Sequence, residues 1–358
     1  MTNTIYIIPI EPIENRYTKF WYRDIPNILQ KEAHTKGKNY NIVTIDGETI
    51  PDQTTKGAFL DFGYTNVYKG SQTVAISKLF AEGQVQPGDK FLVTDAWNFI
   101  TTAIIYMSEL LDVPVEIHGI WEAGAHDPSD ILGFKVGKDW SFNQERAWFY
   151  ACDKNYFASD FHRKLFLENL NIPQKDYDRA IRSSHPSIHL QEECQPFQNN
   201  QERSNTIVFT HRLNQDKQPE IFRDLVKHLP KDFDYVITQD QKLNKQEYFE
   251  MMSKSKIVFS CSLHENYGYG QLEGTMCGCL PVVPDRASYS EIYLEPFKYP
   301  SKWTEDYDYY LKHRNELVDF VTNIMYSYDE LRNTIYKDQV KHIVSEYTYP
   351  KQLVDNLI

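Results

Sequence analysis

The sequence predicts an α/β protein of two units, each built around a parallel sheet. Three observations carry that prediction. The chain has 358 residues, more than one hydrophobic core usually fills. Short apolar runs of strand composition alternate with segments of helix length through most of the chain. The alternation is interrupted over 183–205, where SSHPSIHLQEECQPFQNNQERSN is polar and aperiodic, as a linker region would be.

In the first unit the strand candidates are IYIIPI (5–10), YNIVTI (40–45), KFLVTD (90–95) and VPVEIHGI (113–120). NYFAS (155–159) follows as a strand, Asp160 as a helix cap, and DFHRKLFLENLNIP as an amphipathic helix stopped by Pro173. After the linker come TIVFTHR (206–212), a helix over 219–229, FDYVIT (233–238), a helix over 246–255, KIVFSCS (256–262), a glycine-rich turn with a short helix, and LPVVP (280–284). Residues 303–358 carry helical patterns and no comparable strand. The domain boundaries read from this are 1–185, a linker over 186–205 that would serve as hinge, 206–335, and a helix over 336–358 that returns toward the first domain.

Hydrophobic residues at 41% and charged residues at 25%, with a mean hydropathy of -0.56, describe a globular chain rather than a membrane-embedded one. The opening apolar run is broken by Pro9 and Glu11, so it is not read as a signal peptide or anchor. Five cysteines without a CxxC pair argue against a disulfide framework or zinc ribbon and for a reducing, cytoplasmic setting. The net charge of -12 excludes a general attraction to polyanions; any nucleic acid would need a local basic patch. The expected oligomeric state is a monomer.

The densest chemical signal is SLHENYGYGQLEGTMCGCLPVVPD. Glu265 and Glu273 stand eight positions apart across a glycine-rich turn that leaves a strand and opens a helix. Backbone N–H groups from Gly268 to Gln271 would point at a phosphate, and the glycines would let the backbone approach it. Glu273, expected in the first helical turn, would accept hydrogen bonds from a ribose diol, while Glu265 at the strand end would face sugar hydroxyls. Upstream, FTHRLNQDK places Arg212 and Lys217 after a strand, two fixed cations suited to neutralising a departing diphosphate without a metal. Asp232 and Asp234 imitate an Asp-x-Asp metal motif but lie in an acidic turn ahead of a strand, and no metal site is expected. Cys277 and Cys279 read as packing residues, and His126 as a loop residue.

Together these residues resemble the retaining GT-B glycosyltransferases of family 4, whose second domain carries a GRLxxxK segment and a Glu-x7-Glu motif. Here His211 stands where the family has Gly, and the family's EAMACG stretch reads EGTMCG. The resemblance implies two Rossmann-like domains facing a cleft, with a C-terminal helical segment packing back across them. It implies a nucleotide-sugar donor, taken as a UDP-sugar, no further cofactor, and catalysis by His118, Glu265, Arg212 and Lys217. The donor would be held by Arg212, Lys217, Glu265, Asn266, Tyr267, Gly268, Tyr269, Gly270, Leu272 and Glu273. His118 enters because DAWNFITTAIIYMSELLDVPVEIHGIW resembles the family's helix and strand ending in its active-site His-Gly. The family's glycine-rich loop after the first strand is absent, that segment reading PIEPIENRYTKFWYR.

The opening IYIIPIEPIENRYTKFWYR is similar to glycosyltransferases of T-even-type bacteriophages, some of which glycosylate hydroxymethylated cytosines of viral DNA. That implies double-stranded DNA as partner, 5-hydroxymethylcytosine as acceptor, glucose or arabinose as the sugar, and the host cytoplasm as location. Residues 15–40 hold six cations against Asp24 and Glu32, interleaved with aromatics. Arg16, Tyr17, Lys19, Trp21 and Arg23 are thus acceptor candidates, suited to phosphates and to stacking on an extruded base, with Lys154, Arg163, Lys164, Arg179 and Arg182 extending the patch. Two other readings stay open: a transferase of polysaccharide or surface-glycan synthesis, and a catalytically silent GT-B binding scaffold.

Overall fold

The computed structural model describes residues 3–14, 16–49, 54–55, 58–199 and 202–358. The chain divides into one unit of 1–187 with 350–358 and a second of 188–349.

The first unit is a six-stranded sheet in the order β2-β1-β3-β4-β5-β6, every pair parallel. Its strands are β1 (Asn3–Ile8), β2 (Tyr40–Thr44), β3 (Lys90–Val93), β4 (Glu116–Trp121), β5 (Lys154–Phe157) and β6 (Ala180–Arg182). The crossovers are α1 (Tyr17–Thr35), α2 (Tyr64–Ala81), α3 (Ile100–Leu110), α4 (Ile131–Lys135), α5 (Lys138–Ala151) and α6 (Asp160–Asn169). Parallel strands covered by helices on both faces must be apolar along their whole length, which is why IYII, FLV and IHGIW read as unbroken runs. One side of the core joins Ile8, Phe91, Val93 and Ile117 to Ile100 and Ile104 of α3; the other packs Trp121 and Phe157 against Trp148, Phe149 and Phe166. The cap of α6 is Ser159, whose Oγ accepts the His162 N–H at 3.2 Å, rather than Asp160, which is already the first helical residue.

The second unit carries a five-stranded parallel sheet in the order β11-β10-β9-β7-β8. It contains β7 (Ser204–Phe209), β8 (Asp234–Ile237), β9 (Ser255–Phe259), β10 (Leu280–Pro284) and β11 (Lys298–Tyr299). Its helices are α7 (Pro219–Leu225), α8 (Lys245–Ser253), α9 (Tyr269–Met276), α10 (Tyr289–Ile292), α11 (Tyr307–Tyr326), α12 (Tyr328–Asn333) and α13 (Ile335–Tyr347). Asn244 and Glu247 form a capping box on α8. A Cβ at Gly274 would lie 2.9 Å from the Val258 side chain, so α9 packs flush on β9.

Two boundaries differ from the sequence expectation. Of the stretch expected as linker, 200–201 lie outside the described residues, while Leu190–Cys194 and Gln195–Asn199 form helical turns and Ser204 opens β7. The polar composition hides Leu190 and Cys194, both fully buried, and Phe197, which packs on Phe249 at 6.0 Å. Arg203 fastens the segment through the carbonyls of Cys277 and Ser255, at 2.7 and 2.8 Å. The tail returns later than 336: α13 stays in the second unit, where Gln339 Nε2 donates to the Ile292 carbonyl at 2.9 Å.

Only the last residues, with α14 (Lys351–Leu357), join the first unit. Leu353, Val354 and Leu357 are buried there, Lys36 pairs with Asp355 at 2.9 Å, and Lys38 Nζ donates to the Ile358 carbonyl. Leu353→Ala should therefore destabilise the protein by about 2–5 kcal/mol, the range for a fully buried leucine. Urea unfolding followed by circular dichroism measures it; an unchanged midpoint would mean that α14 contributes nothing to the fold.

Candidate functional site

In an open parallel sheet, ligands bind beyond the carboxyl ends of the strands where the strand order reverses. In the second unit that point lies between β7 and β9, because the chain runs from β7 to β8 on one side and then crosses to β9 on the other. Thr210, His211 and Arg212 leave the end of β7, and Ser260 to Glu265 leave the end of β9.

These loops meet on Glu265. Its Oε1 lies 2.8 Å from Lys217 Nζ and 3.3 Å from His211 Nδ1. Lys217 is almost fully buried; its ammonium also donates to Ser262 Oγ at 3.1 Å and to the His264 carbonyl, and pairs with Asp216 at 3.1 Å. Burial alone would raise the Glu265 pKa, but Lys217 and His211 outweigh it and hold the carboxyl well below its ordinary range. Burial would likewise lower Lys217, and Glu265 and Asp216 reverse that, so it stays charged. Arg212 is half-buried and close enough to Lys217 to repel it electrostatically. Glu265, Lys217 and Arg212, all singled out in the sequence, are thus brought together, and His211, noted there only as a departure from a family pattern, is a fourth member.

The glycine-rich turn is built as its sequence demands. Gly268 sits at φ 78°, and a Cβ there would stand 2.7 Å from the Tyr289 ring; a Cβ at Gly270 would stand 2.4 Å from Thr210 Oγ1. The first N–H groups of α9 are those of Tyr269 and Gly270, while the Gln271 N–H donates to the Gly268 carbonyl at 3.1 Å. Asn266 is buried, and Tyr267 and Leu272 are core residues, Tyr267 donating its hydroxyl to the Tyr347 carbonyl. Tyr269 is half-buried, with its ring 4.8 Å from that of Tyr267.

Glu273 departs from its expected role. It lies beyond the first turn of α9, is 4% exposed, and is held by Lys245 at 2.7 Å and His189 at 3.6 Å. Burial would raise its pKa, but Lys245 and then His189 bring it down to about 2. A ribose diol would have to displace Lys245 to reach it.

In the first unit His118 is not at a strand end. β4 continues three residues beyond it to Trp121, and the imidazole is 2% exposed, with Nδ1 2.9 Å from the Tyr156 hydroxyl and Nε2 3.6 Å from Glu116. Glu116 opens the strand, so His118 faces the amino edge of the sheet, opposite the edge where such folds bind ligands. It is thus buried within the sheet rather than presented at that ligand-binding edge. The order of this sheet reverses between β1 and β3, and Glu11 follows β1, Asp95 follows β3 and Glu122 follows β4. Asp95 is paired with the buried Lys69 at 2.7 Å. Glu122 accepts from the Tyr17 hydroxyl, and burial, reinforced by Asp95, pushes its carboxyl up to about 8. These carboxyl groups were not among the residues singled out in the sequence; their positions one to three residues past strand ends were the available signal.

The acceptor candidates divide along α1. Trp21 is 1% exposed, its ring 4.7 Å from that of His185, which leaves no face for a base to stack on. Arg16, Lys19 and Arg23 share a stripe of the helix at i, i+3 and i+7 spacing, but Lys19 pairs with Glu14 at 3.2 Å and Arg23 with Asp24 at 2.6 Å. Lys36 and Lys38 are tied to α14. Asp232 accepts from Asn205 at 3.2 Å, and Asp234 opens β8 at the amino edge of its sheet. Among the described residues no group of His, Cys, Asp and Glu could hold a metal ion, and no helix is long and apolar enough to cross a membrane.

No family model matches the chain. Among curated proteins it is similar to the tRNA-queuosine alpha-mannosyltransferase of Drosophila melanogaster, with 22% identity over 190 residues, 40% of this chain and 50% of that protein. The chain thus spans about half the length of that curated relative. Among solved structures it is similar to Anabaena HepE in complex with UDP and glucose, with a TM-score of 0.61 and 10% identity over 99% of each chain. Sucrose-phosphate synthase from Thermosynechococcus elongatus gives a TM-score of 0.63 at 10% identity, over 98% of this chain and 96% of that one. The chain has the GT-B fold.

The pairing of Glu273 has a measurable consequence. Its folded pKa of about 2 lies below the ordinary 4.5, so its charged form is stabilised by folding. That contribution is complete above the unfolded pKa and is lost as pH falls through the folded one. Between about pH 5 and pH 2 the wild type should lose on the order of 3 kcal/mol that Glu273→Gln does not lose. Urea titrations across that range measure the difference; parallel pH profiles would show the Lys245 pair to be energetically idle.

Proposed function

We propose that the chain is a retaining glycosyltransferase that moves a sugar from a UDP-sugar to a hydroxyl on a modified nucleobase, with 5-hydroxymethylcytosine of duplex DNA as the leading acceptor. The observation that carries the donor half is the meeting of Arg212, Lys217 and Glu265 at the point where β7 and β9 diverge, beside the N-terminus of α9. The acceptor oxygen attacks the anomeric carbon from the face that the diphosphate leaves. The new carbon–oxygen bond forms as the bond to the diphosphate breaks, and a diphosphate oxygen takes the acceptor's proton. No protein nucleophile is needed. Arg212 and Lys217 stabilise the charge growing on the diphosphate, and Glu265 orients the sugar through its hydroxyls. Retention and the absence of a metal requirement rest on the family 4 resemblance of the Glu-x7-Glu segment. UDP as the carrier is supported by HepE, which holds UDP and glucose.

A nucleobase acceptor draws support from the opening segment's resemblance to phage DNA glycosyltransferases. It also draws support from the Drosophila relative, a tRNA-queuosine mannosyltransferase. That relative favours a second reading, in which the modified nucleoside belongs to tRNA. The test is nucleoside mass spectrometry after incubating the protein with pooled nucleotide sugars and either hydroxymethylcytosine-containing duplex DNA, bulk tRNA or saccharides. A hexose or pentose mass gain on hydroxymethylcytosine is the expected result. A gain on a tRNA nucleoside moves the acceptor to RNA, transfer to a saccharide alone overturns the nucleobase reading, and UDP binding without transfer leaves a scaffold.

Arg212→Ala and Lys217→Ala should each lower kcat/KM about a hundredfold, ~3 kcal/mol of transition-state stabilisation. Steady-state kinetics with the donor identified above checks this, and wild-type rates in both variants would remove the diphosphate role.

A further inference from the structure

His211 occupies a position whose hydrogen bonds determine where its proton lies. Gln271 Nε2 is 3.3 Å from the Phe259 carbonyl, which can only accept, and Gln271 Oε1 accepts from the Tyr289 hydroxyl at 2.9 Å. The amide is therefore fixed with its NH2 toward His211, whose Nε2 lies 3.0 Å away. The same NH2 also stands 3.0 Å from Thr210 Oγ1, so its two N–H bonds have three acceptors in reach. The tautomer is decided at the other nitrogen, because the Glu265 carboxylate oxygen beside Nδ1 can only accept; Nε2 is then the acceptor, reached by Gln271 and by the Ser260 hydroxyl 2.7 Å away. The imidazole proton is then on Nδ1, aimed at Glu265 Oε1 at 3.3 Å.

The same Oε1 also receives Lys217, and Lys217 is over-subscribed. Its three N–H bonds face four oxygens, those of Glu265, Asp216, Ser262 and the His264 carbonyl. Releasing Glu265 leaves one partner for each N–H bond, so that contact can be given up without orphaning a donor, and a diphosphate oxygen can then replace one of the remaining oxygens. An anionic diphosphate is a stronger acceptor than a neutral carbonyl.

We propose that His211 is a positioning residue that holds Glu265 through an Nδ1–H donor while Lys217 turns from that carboxylate to the diphosphate of the donor. Glu265 Oε2 is then presented to a sugar hydroxyl from a carboxylate that cannot swing away. The chain Tyr289–Gln271–His211–Glu265 fixes the orientation without adding a second positive charge to Oε1. This deepens the glycosyltransferase reading above and rests on it.

The test compares His211→Asn, His211→Gln and His211→Ala. The Asn amide nitrogen stands near the imidazole Nδ1 and retains the donor to Glu265; the Gln amide nitrogen stands nearer Nε2 and loses it. His211→Gln and His211→Ala should lower kcat about tenfold to a hundredfold, as a misplaced orienting group does, with the affinity for UDP unchanged. His211→Asn should recover most of that loss. Wild-type kcat in His211→Gln overturns the proposal, as does an equal loss in all three variants accompanied by a common fall in melting temperature.

If the wild type transfers no sugar, the function proposed above fails. The His211 inference is then read from imidazole 15N NMR with UDP as probe, the resonance assigned by its absence in His211→Asn. An Nδ1–H tautomer whose proton moves downfield when UDP binds supports it, and an Nε2–H tautomer or an unmoved proton overturns it.

Discussion

A single carboxylate, Glu265, organises the second unit's candidate site. Placing a charge among buried groups is costly unless it is matched, and here the match is made by Lys217 and by a hydrogen bond from His211. The three residues come from two loops separated by some fifty positions in sequence, and they meet only because β7 and β9 are neighbours. The sheet order is therefore a condition of the chemistry. Each supporting feature follows from it: Gly270 lets α9 close onto Thr210, Gly268 turns the chain under Tyr289, and Gln271 reaches back to both loops.

Much of this was legible in the sequence, and the misses share one physical origin. Apolar runs bounded by polar turns located nine of the eleven strands among the described residues, missing the short β6 and β11, because a parallel sheet buried on both faces leaves little other composition open to its longer strands. Arg212, Lys217 and Glu265 were legible because charged residues just past a strand stand at the sheet's carboxyl edge. Burial of polar residues was not legible. His118 and Glu273 carry the right letters at the right spacing, yet their partners, Tyr156 and Glu116 for one and Lys245 and His189 for the other, arrive from other elements. The linker failed for the converse reason: four buried or half-buried side chains, Ile188, Leu190, Cys194 and Phe197, sufficed to fix a stretch whose average composition is polar.

The two units differ in how they use charge at the reversal of strand order. In the second, Lys217 and Arg212 stand with the carboxylates of Glu265 and Asp216, so a diphosphate would be met by cations already held in ion pairs. In the first, Glu11, Asp95 and Glu122 stand near one buried lysine, Lys69, with Arg16 at their margin. Burial raises the Glu11 and Glu122 carboxyl groups and the one lysine is already paired with Asp95, so this edge is built of carboxyl groups rather than as a phosphate trap.

That contrast constrains any nucleic-acid acceptor. Affinity for a polyanion grows with the number of phosphates neutralised, because each protein cation that reaches a phosphate displaces counterions condensed on the nucleic acid. Of the cations in the stretch 15–40, Lys19, Arg23 and Lys36 are already in ion pairs and Lys38 is bound to the chain's terminal carbonyl. Backbone contacts by those four would first have to break internal ones, in a molecule whose net charge of -12 opposes approach. Recognition of a nucleobase by this chain would then depend less on the phosphates than on the base and its hydroxyl. Carboxyl groups able to donate as well as accept, such as Glu122 with its pKa of about 8, are suited to reading such a hydroxyl where a uniformly basic groove is not.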